Sequence, residues 1–282
     1  MSAPESTTRP LRTRQRLGKY RIEGRLGSGA FATVYKAMDT IEGIRVALKI
    51  PHDALMTDDV LKDFRSEVRL MARMEHNNIL KLKDASWIDE RFVIAFPLGE
   101  KTLDQRIVSR MSQTTALELA EQVLDAVAYA HRSRIVHCDI KPENLILFPQ
   151  NRLRLTDFGI AKIANRTLRG SGTGTVGYMA PEQAMGKPSA RSDVFSVGLV
   201  MYRMLAGQWP EWPYEWPLPG YQRLRGKVHP DLIAFLRKTI ELQPRKRFKD
   251  GDEMLRAYNR IRRKVYRKIA TQRSARTRRR AA

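Results

Sequence analysis

The chain is short of three things. It has a single cysteine, Cys138, in 282 residues; one thiol cannot form an intrachain disulfide, and a reducing compartment is the default. It has no long apolar run. The longest, over 194–202, falls far below the roughly 20 residues that a bilayer-spanning helix needs. The start is rich in Ser, Thr and Arg and lacks the apolar stretch of a secretory leader. These absences predict a soluble, cytoplasmic protein. Acid is also missing from one end: residues 254–282 carry twelve Lys or Arg and no Asp or Glu.

That last absence locates the charge. Residues 1–21 carry six basic residues against Glu5, and the net charge of +22 less +5 and +12 for the two ends leaves +5 for 22–253. The body is therefore nearly balanced, and the basic character is terminal. Over the whole chain 42% apolar residues, with four Trp, nine Tyr and nine Phe, are enough for a real core.

Periodicity divides the chain in two. Residues 1–18 read as a basic, disordered arm. Short runs rich in Val and Ile at 20–26, 33–38, 45–50, 80–87 and 92–96 read as strands. Leu61, Phe64, Val68 and Met71 recur at helix spacing between them. From there helix patterns dominate: 116–131, the almost wholly apolar 193–205, 232–242 and 254–269. The expected domains are a small sheet lobe over 19–96, a helical lobe over 97–268 and a basic, disordered tail over 269–282. No internal repeat is visible.

Five segments carry chemistry. LGSGAFATV spans Leu26, Gly27, Ser28, Gly29, Ala30, Phe31, Ala32, Thr33 and Val34; Gly27 and Gly29 let backbone approach a phosphate. A plain hairpin explains the same residues. A dinucleotide-binding turn does not, because strand and not helix follows. Lys49 ends the apolar run Val46-Ala47-Leu48, and Glu67 on the expected helix can pair with it and hold it against nucleotide phosphates. A surface ion pair is the plain alternative. HCDIKPEN packs Asp139, Lys141 and Asn144 into one loop. They suit a carboxylate accepting a hydroxyl proton, a cation near a transferring phosphate, and an oxygen ligand for Mg²⁺. Asp157, in Asp157-Phe158-Gly159, suits a second Mg²⁺ ligand or a simple turn. Lastly, GTVGYMAPE supplies Glu182, for which Arg247 is the expected cation, and Asp193 is placed to cap the apolar helix that it opens.

Singly these signals are weak; their order is not. Glycine loop, strand lysine, helix glutamate, HxDxKxxN, DFG, APE and a late arginine follow one another once each. Over roughly residues 20–265 the chain resembles the eukaryotic-type (Hanks-type) serine/threonine protein kinases, with motif wording nearest the bacterial members. The resemblance implies an α+β, bilobal protein-kinase-like fold, with a small antiparallel sheet lobe carrying one helix and a larger helical lobe. It implies ATP and Mg²⁺ (Mn²⁺ as an alternative) in the cleft. Val34, Ala47 and the linker near Ile94, Phe96 and Pro97 would contact the adenine, with Ala95 where the family carries an acid. It implies protein substrates, autophosphorylation, and candidate phosphosites at Thr167, Ser171, Thr173 and Thr175. Lys141 and Thr175 point to Ser/Thr acceptors.

Two departures stand out. Cys138 replaces the arginine that in the family grips a loop phosphate, so activity should depend less on loop phosphorylation. Ala32 replaces the third glycine. Gln208–Gly220, with three Trp and four Pro, is a docking patch or a loop packed on the helical lobe. The basic tail offers a contact for nucleic acid, an anionic membrane or an acidic protein. A partner-binding pseudokinase is the rival reading, opposed by the complete set Lys49, Glu67, Asp139, Asn144 and Asp157.

Overall fold

A computed structural model describes residues 10–29, 32–52, 57–158 and 176–281. The chain divides into two compact units, Met1–Glu100 and Lys101–Ala282.

The first unit is a six-stranded sheet. Its strands are β1 (Arg16–Leu17), β2 (Tyr20–Ser28), β3 (Ala32–Asp39), β4 (Ile44–Pro51), β5 (Asp84–Ile88) and β6 (Arg91–Pro97), in the order β1-β2-β3-β4-β6-β5. Each pairing is antiparallel. The helix α1 (Asp58–Ala72) joins β4 to β5. Alternation sorts the side chains, since neighbours along a strand point to opposite faces and cross-strand partners share one. Tyr35 and Ala37 on β3, Val46, Leu48 and Ile50 on β4, and Val93 and Ala95 on β6 form an apolar cluster with Leu17, Tyr20 and Ile22.

Two expectations need correction here. Residues 10–18 are not a loose arm: Leu11 and Leu17 are buried in this cluster, and β1 pairs with β2. Arg14 N–H also donates to the Ile22 carbonyl at 2.8 Å. Two leucines in a basic segment are enough to dock it. The strand expected at 80–87 begins only at Asp84, with the buried Ile79 and Leu80 lying ahead of it.

The second unit is mainly helical. A small sheet, β7 (Lys101–Thr102), β8 (Leu145–Phe148) and β9 (Arg152–Leu155), runs in the order β7-β8-β9. The helices are α2 (Leu103–Ile107), α3 (Gln113–Arg132), α4 (Pro181–Ala184), α5 (Ala190–Ala206), α6 (Pro230–Thr239) and α7 (Gly251–Ala281). Ten residues of α3 are buried, from Ala116 to Ala130, and the helix packs against α5 and α7. The apolar α5 is buried on nearly all sides, as its composition predicts. It approaches α6 closely: a methyl added at Gly198 would lie 2.3 Å from Thr239 Oγ1.

The helix α7 corrects a third expectation. Sequence without apolar periodicity reads as a disordered tail over 269–282, but the helix continues through Ala281. Arg, Ala and Gln are strong helix formers, and no Gly or Pro interrupts the run. Among the described residues no helix is long and apolar enough to cross a membrane.

Candidate active site

Strand register assembles the first group of residues. Val34 lies opposite Lys49, and Lys49 opposite Ile94. Ala47 lies opposite Phe96. Partners share a face, so Val34, Ala47, Lys49, Ile94 and Phe96 all project from the side of the sheet opposite its apolar cluster. Gly27, opposite Val34, is at the same place on β2. A register shift between Arg25 and Gly27 leaves Leu26 beside it, 53% exposed. Lys49 is 7% exposed. In the linker, Ala95 lies opposite Leu48 and belongs to the apolar cluster. A carboxylate at 95 would be buried among aliphatic side chains. Glu67 is in α1, as expected. Ala30 and Phe31 lie outside the described residues.

The second group is on an irregular loop between α3 and β8, and long-range side chains hold it. Asp193 is 1% exposed. Its Oδ2 accepts from the His137 N–H at 2.7 Å and its Oδ1 from the Cys138 N–H at 2.8 Å. The His131 Nδ1 accepts from the Gly251 N–H at 2.7 Å. Its Nε2–H therefore faces Asp193 Oδ2 at 2.8 Å. This corrects the capping role expected for Asp193. The cap of α5 is Ser189, in a reciprocal capping box with Ser192; Asp193 is one turn inside and spends its carboxylate on the loop. Cys138 has φ 64°, a left-handed backbone uncommon for a residue with a Cβ, and the clamp holds it there. The Gln183 Nε2–H₂ donates to the Cys138 carbonyl at 2.5 Å.

His137 is locked from both sides. Its Nδ1 accepts from the Asp139 N–H at 3.2 Å, and its Nε2–H donates to the Thr156 carbonyl at 2.9 Å. Its ring meets that of Phe158 at 4.6 Å between centroids. The loop is thereby tied to the segment that carries Asp157, which also has a positive φ, 65°.

At the centre stands Asp139. Lys141 Nζ lies 2.9 Å from its Oδ2. Asn144 Nδ2 donates to the same oxygen at 2.9 Å and to the Asp139 carbonyl at 2.8 Å. Proline at 142 opens a 3₁₀ turn, Pro142–Asn144, that folds Asn144 back onto Asp139. The Asn144 carbonyl in turn accepts from the Thr156 N–H at 3.0 Å. The amide nitrogen of Asn144 faces Asp139, so its oxygen is the atom left to ligate a cation. With the Asp157 carboxylate that makes two hard oxygen donors on adjoining backbone. Such a pair fits Mg²⁺, which takes few protein ligands and completes its shell with phosphates and water.

Below this loop the expected Glu182–Arg247 pair is formed, with distances of 2.7 and 3.1 Å. The remaining Arg247 donors reach the carbonyls of Arg191, Glu241 and Leu242, and the guanidinium lies over the Phe195 ring. Burial works against the charge on Glu182, but the Arg247 hydrogen bonds outweigh it and hold the carboxyl below its usual range. Trp209 packs against Tyr178 at 4.7 Å, and Arg203 lies over its ring. Tyr214 OH donates to the Gly177 carbonyl at 3.0 Å. The Trp/Pro segment thus packs on the helical unit, as one of its two readings predicts; only Trp212 of its three tryptophans is well exposed, at 65%. Thr167, Ser171, Thr173 and Thr175 lie outside the described residues.

His131 and Gln183 were not legible as site residues. Each acts on a partner more than forty positions away, and neither shows a motif of its own.

The chain is similar to known proteins. The family model for the protein kinase domain matches residues 20–255. A probable serine/threonine-protein kinase of Clostridium acetobutylicum is 31% identical over 255 residues, 84% of this chain and 39% of that protein. Human calcium/calmodulin-dependent protein kinase type 1B is 36% identical over 248 residues, 81% of this chain and 71% of that protein. In fold, the kinase domain of Mycobacterium tuberculosis PknI matches with a TM-score of 0.69 at 24% identity, covering 89% of this chain and 99% of that domain. The chain thus spans well under half of the clostridial relative's length. With the matched model covering most of the chain, and two relatives above 30% identity, the chain belongs to the protein kinase domain family.

Proposed function

We propose that the protein is a serine/threonine protein kinase that transfers the γ-phosphoryl group of ATP to hydroxyls of protein substrates, itself included. The observation that carries this is the arrangement of Asp139, Lys141 and Asn144 on a loop pinned by Asp193. Phosphoryl transfer asks little covalent chemistry of a protein; it needs positioning and charge stabilisation. Asp139 orients the acceptor hydroxyl and takes its proton. Lys141 supplies positive charge to the phosphoryl group as it moves. Val34, Ala47, Ile94 and Phe96 give an apolar surface for the adenine, and Lys49, oriented by Glu67, holds the α- and β-phosphates. Asn144 and Asp157 would hold Mg²⁺, with Mn²⁺ as a substitute, and the bound ion would supply positive charge to the phosphates.

Cys138 leaves no arginine next to Asp139 to grip a phosphorylated loop. Basal activity therefore does not depend on loop phosphorylation. The acceptor class follows from Lys141 and from the names of the relatives. Labelled phosphate from ATP, incubated with the purified chain and generic acceptor proteins, should appear on serine and threonine after acid hydrolysis. Label confined to tyrosine would overturn the acceptor class, and no label in any acceptor would overturn the activity.

A further inference from the structure

We propose that the distal end of α7 is a binding arm for the phosphate backbone of duplex nucleic acid, engaged without regard to base sequence. Residues 260–281 hold eleven Lys or Arg and no acid. The proximal part of this helix is anchored to its own unit. Tyr258 OH and Arg262 bond to the Glu121 carboxylate at 2.8 to 3.0 Å. Lys264 pairs with Asp231 at 3.1 Å, Lys268 reaches the Val228 carbonyl, and Gln272 reaches the Gly226 carbonyl. Past Gln272 the hydroxyls of Ser274 and Thr277 bond back to carbonyls of the same helix. That distal stretch carries Arg273, Arg276, Arg278, Arg279 and Arg280.

Three properties choose the partner. First, at about 100° per residue Arg273, Arg276, Arg279 and Arg280 fall within an arc of about 120°, and Arg278 lies on the opposite side of the helix. A flat lipid surface meets one side of a helix. The two phosphate rows bordering a major groove of about 12 Å, which admits an α-helix, meet more than one. Second, past Ile269 the segment has no apolar residue larger than alanine, so it lacks the face that seats a helix in a membrane interface. No aromatic residue follows Tyr266, which removes the stacking platform that single strands use. Third, all five cations are arginine, whose fork suits phosphate oxygens. Nothing in the stretch offers a pattern for reading bases, so affinity should come from counterion release.

The test uses the full chain and a fluorescent mixed-sequence DNA duplex, with anisotropy followed between about 50 and 200 mM salt. It is repeated with Arg273, Arg276, Arg278, Arg279 and Arg280 all changed to Gln, which keeps helix propensity. Phosphatidylcholine–phosphatidylserine vesicles form a parallel arm. The native chain should bind the duplex with a log–log salt slope about 4.5 steeper than the variant, a share of about 10²–10³-fold of the affinity lost across that range. Thermal midpoint and phosphate transfer should be unchanged in the variant. Equal affinity and slope for both chains, no duplex binding at the lowest salt, or tighter binding to the vesicles than to the duplex would each overturn the proposal.

Discussion

The two units place their candidate site residues by different physical means. In the sheet unit Val34, Ala47, Lys49, Ile94 and Phe96 share a face because strand register puts them there; each position follows from its neighbours. In the helical unit Asp139, Lys141 and Asn144 sit on irregular backbone, and side chains from α5 and α4 and a histidine of α3 hold that backbone in place. A register is a property of the whole sheet and resists local change. A clamp depends on a few buried hydrogen bonds, and each is a point of failure.

The comparison can be broken most easily at the helical unit's supports. Glu182→Gln leaves the fully bonded Arg247 facing a neutral partner, and chemical denaturation should show a loss of about 3 kcal/mol. The pH dependence has a definite sign. The folded carboxyl sits below its ordinary range, so its contribution is complete above the unfolded value of about 4.3 and fades as pH falls through the folded one. The gap between native and Gln chains should therefore close in acid. A gap independent of pH would mean that the pair's charge is not what stabilises.

A glycine pair sharpens the contrast at smaller effect. In Gly198→Ala the new methyl meets Thr239 Oγ1 at 2.3 Å, and overpacking should lower stability by about 1–3 kcal/mol. In Gly27→Ala the new methyl meets nothing within 4 Å, so the denaturation midpoint should hold while KM for ATP rises. Equal losses of stability would contradict the difference between the units. The smallest expected effect is at the loop. Thr167→Ala, Ser171→Ala and Thr173→Ala together should leave most of the initial rate intact, and a large loss would show that loop phosphorylation matters despite Cys138.

Legibility in the sequence follows the same division. The short Val- and Ile-rich runs of β3, β4 and β6 are local, so the sheet was readable, and the Arg247–Glu182 pair was found from motif order. The clamp was not. Asp193 opens an apolar run and reads as a cap, but Ser189 begins the helix earlier and frees the carboxylate for a loop more than fifty residues away. His131 reads as the end of a helix, and only the fold shows it bridging Gly251 and Asp193. The ends of the chain failed for a different reason. Charge density at 10–18 and 269–281 argues for disorder, but Leu11 and Leu17 supply packing at one end, and uninterrupted helix formers extend α7 at the other.

The claim at the centre is that Asp139, held by this clamp, orients and deprotonates the acceptor hydroxyl. The direct measurement is the initial rate of phosphate transfer from ATP by the native chain and by Asp139→Asn, with thermal unfolding of both. Loss of the carboxylate should lower the rate by about 10²–10⁴-fold, the span of general-base contributions, with little change in the unfolding midpoint. Equal rates would contradict the account.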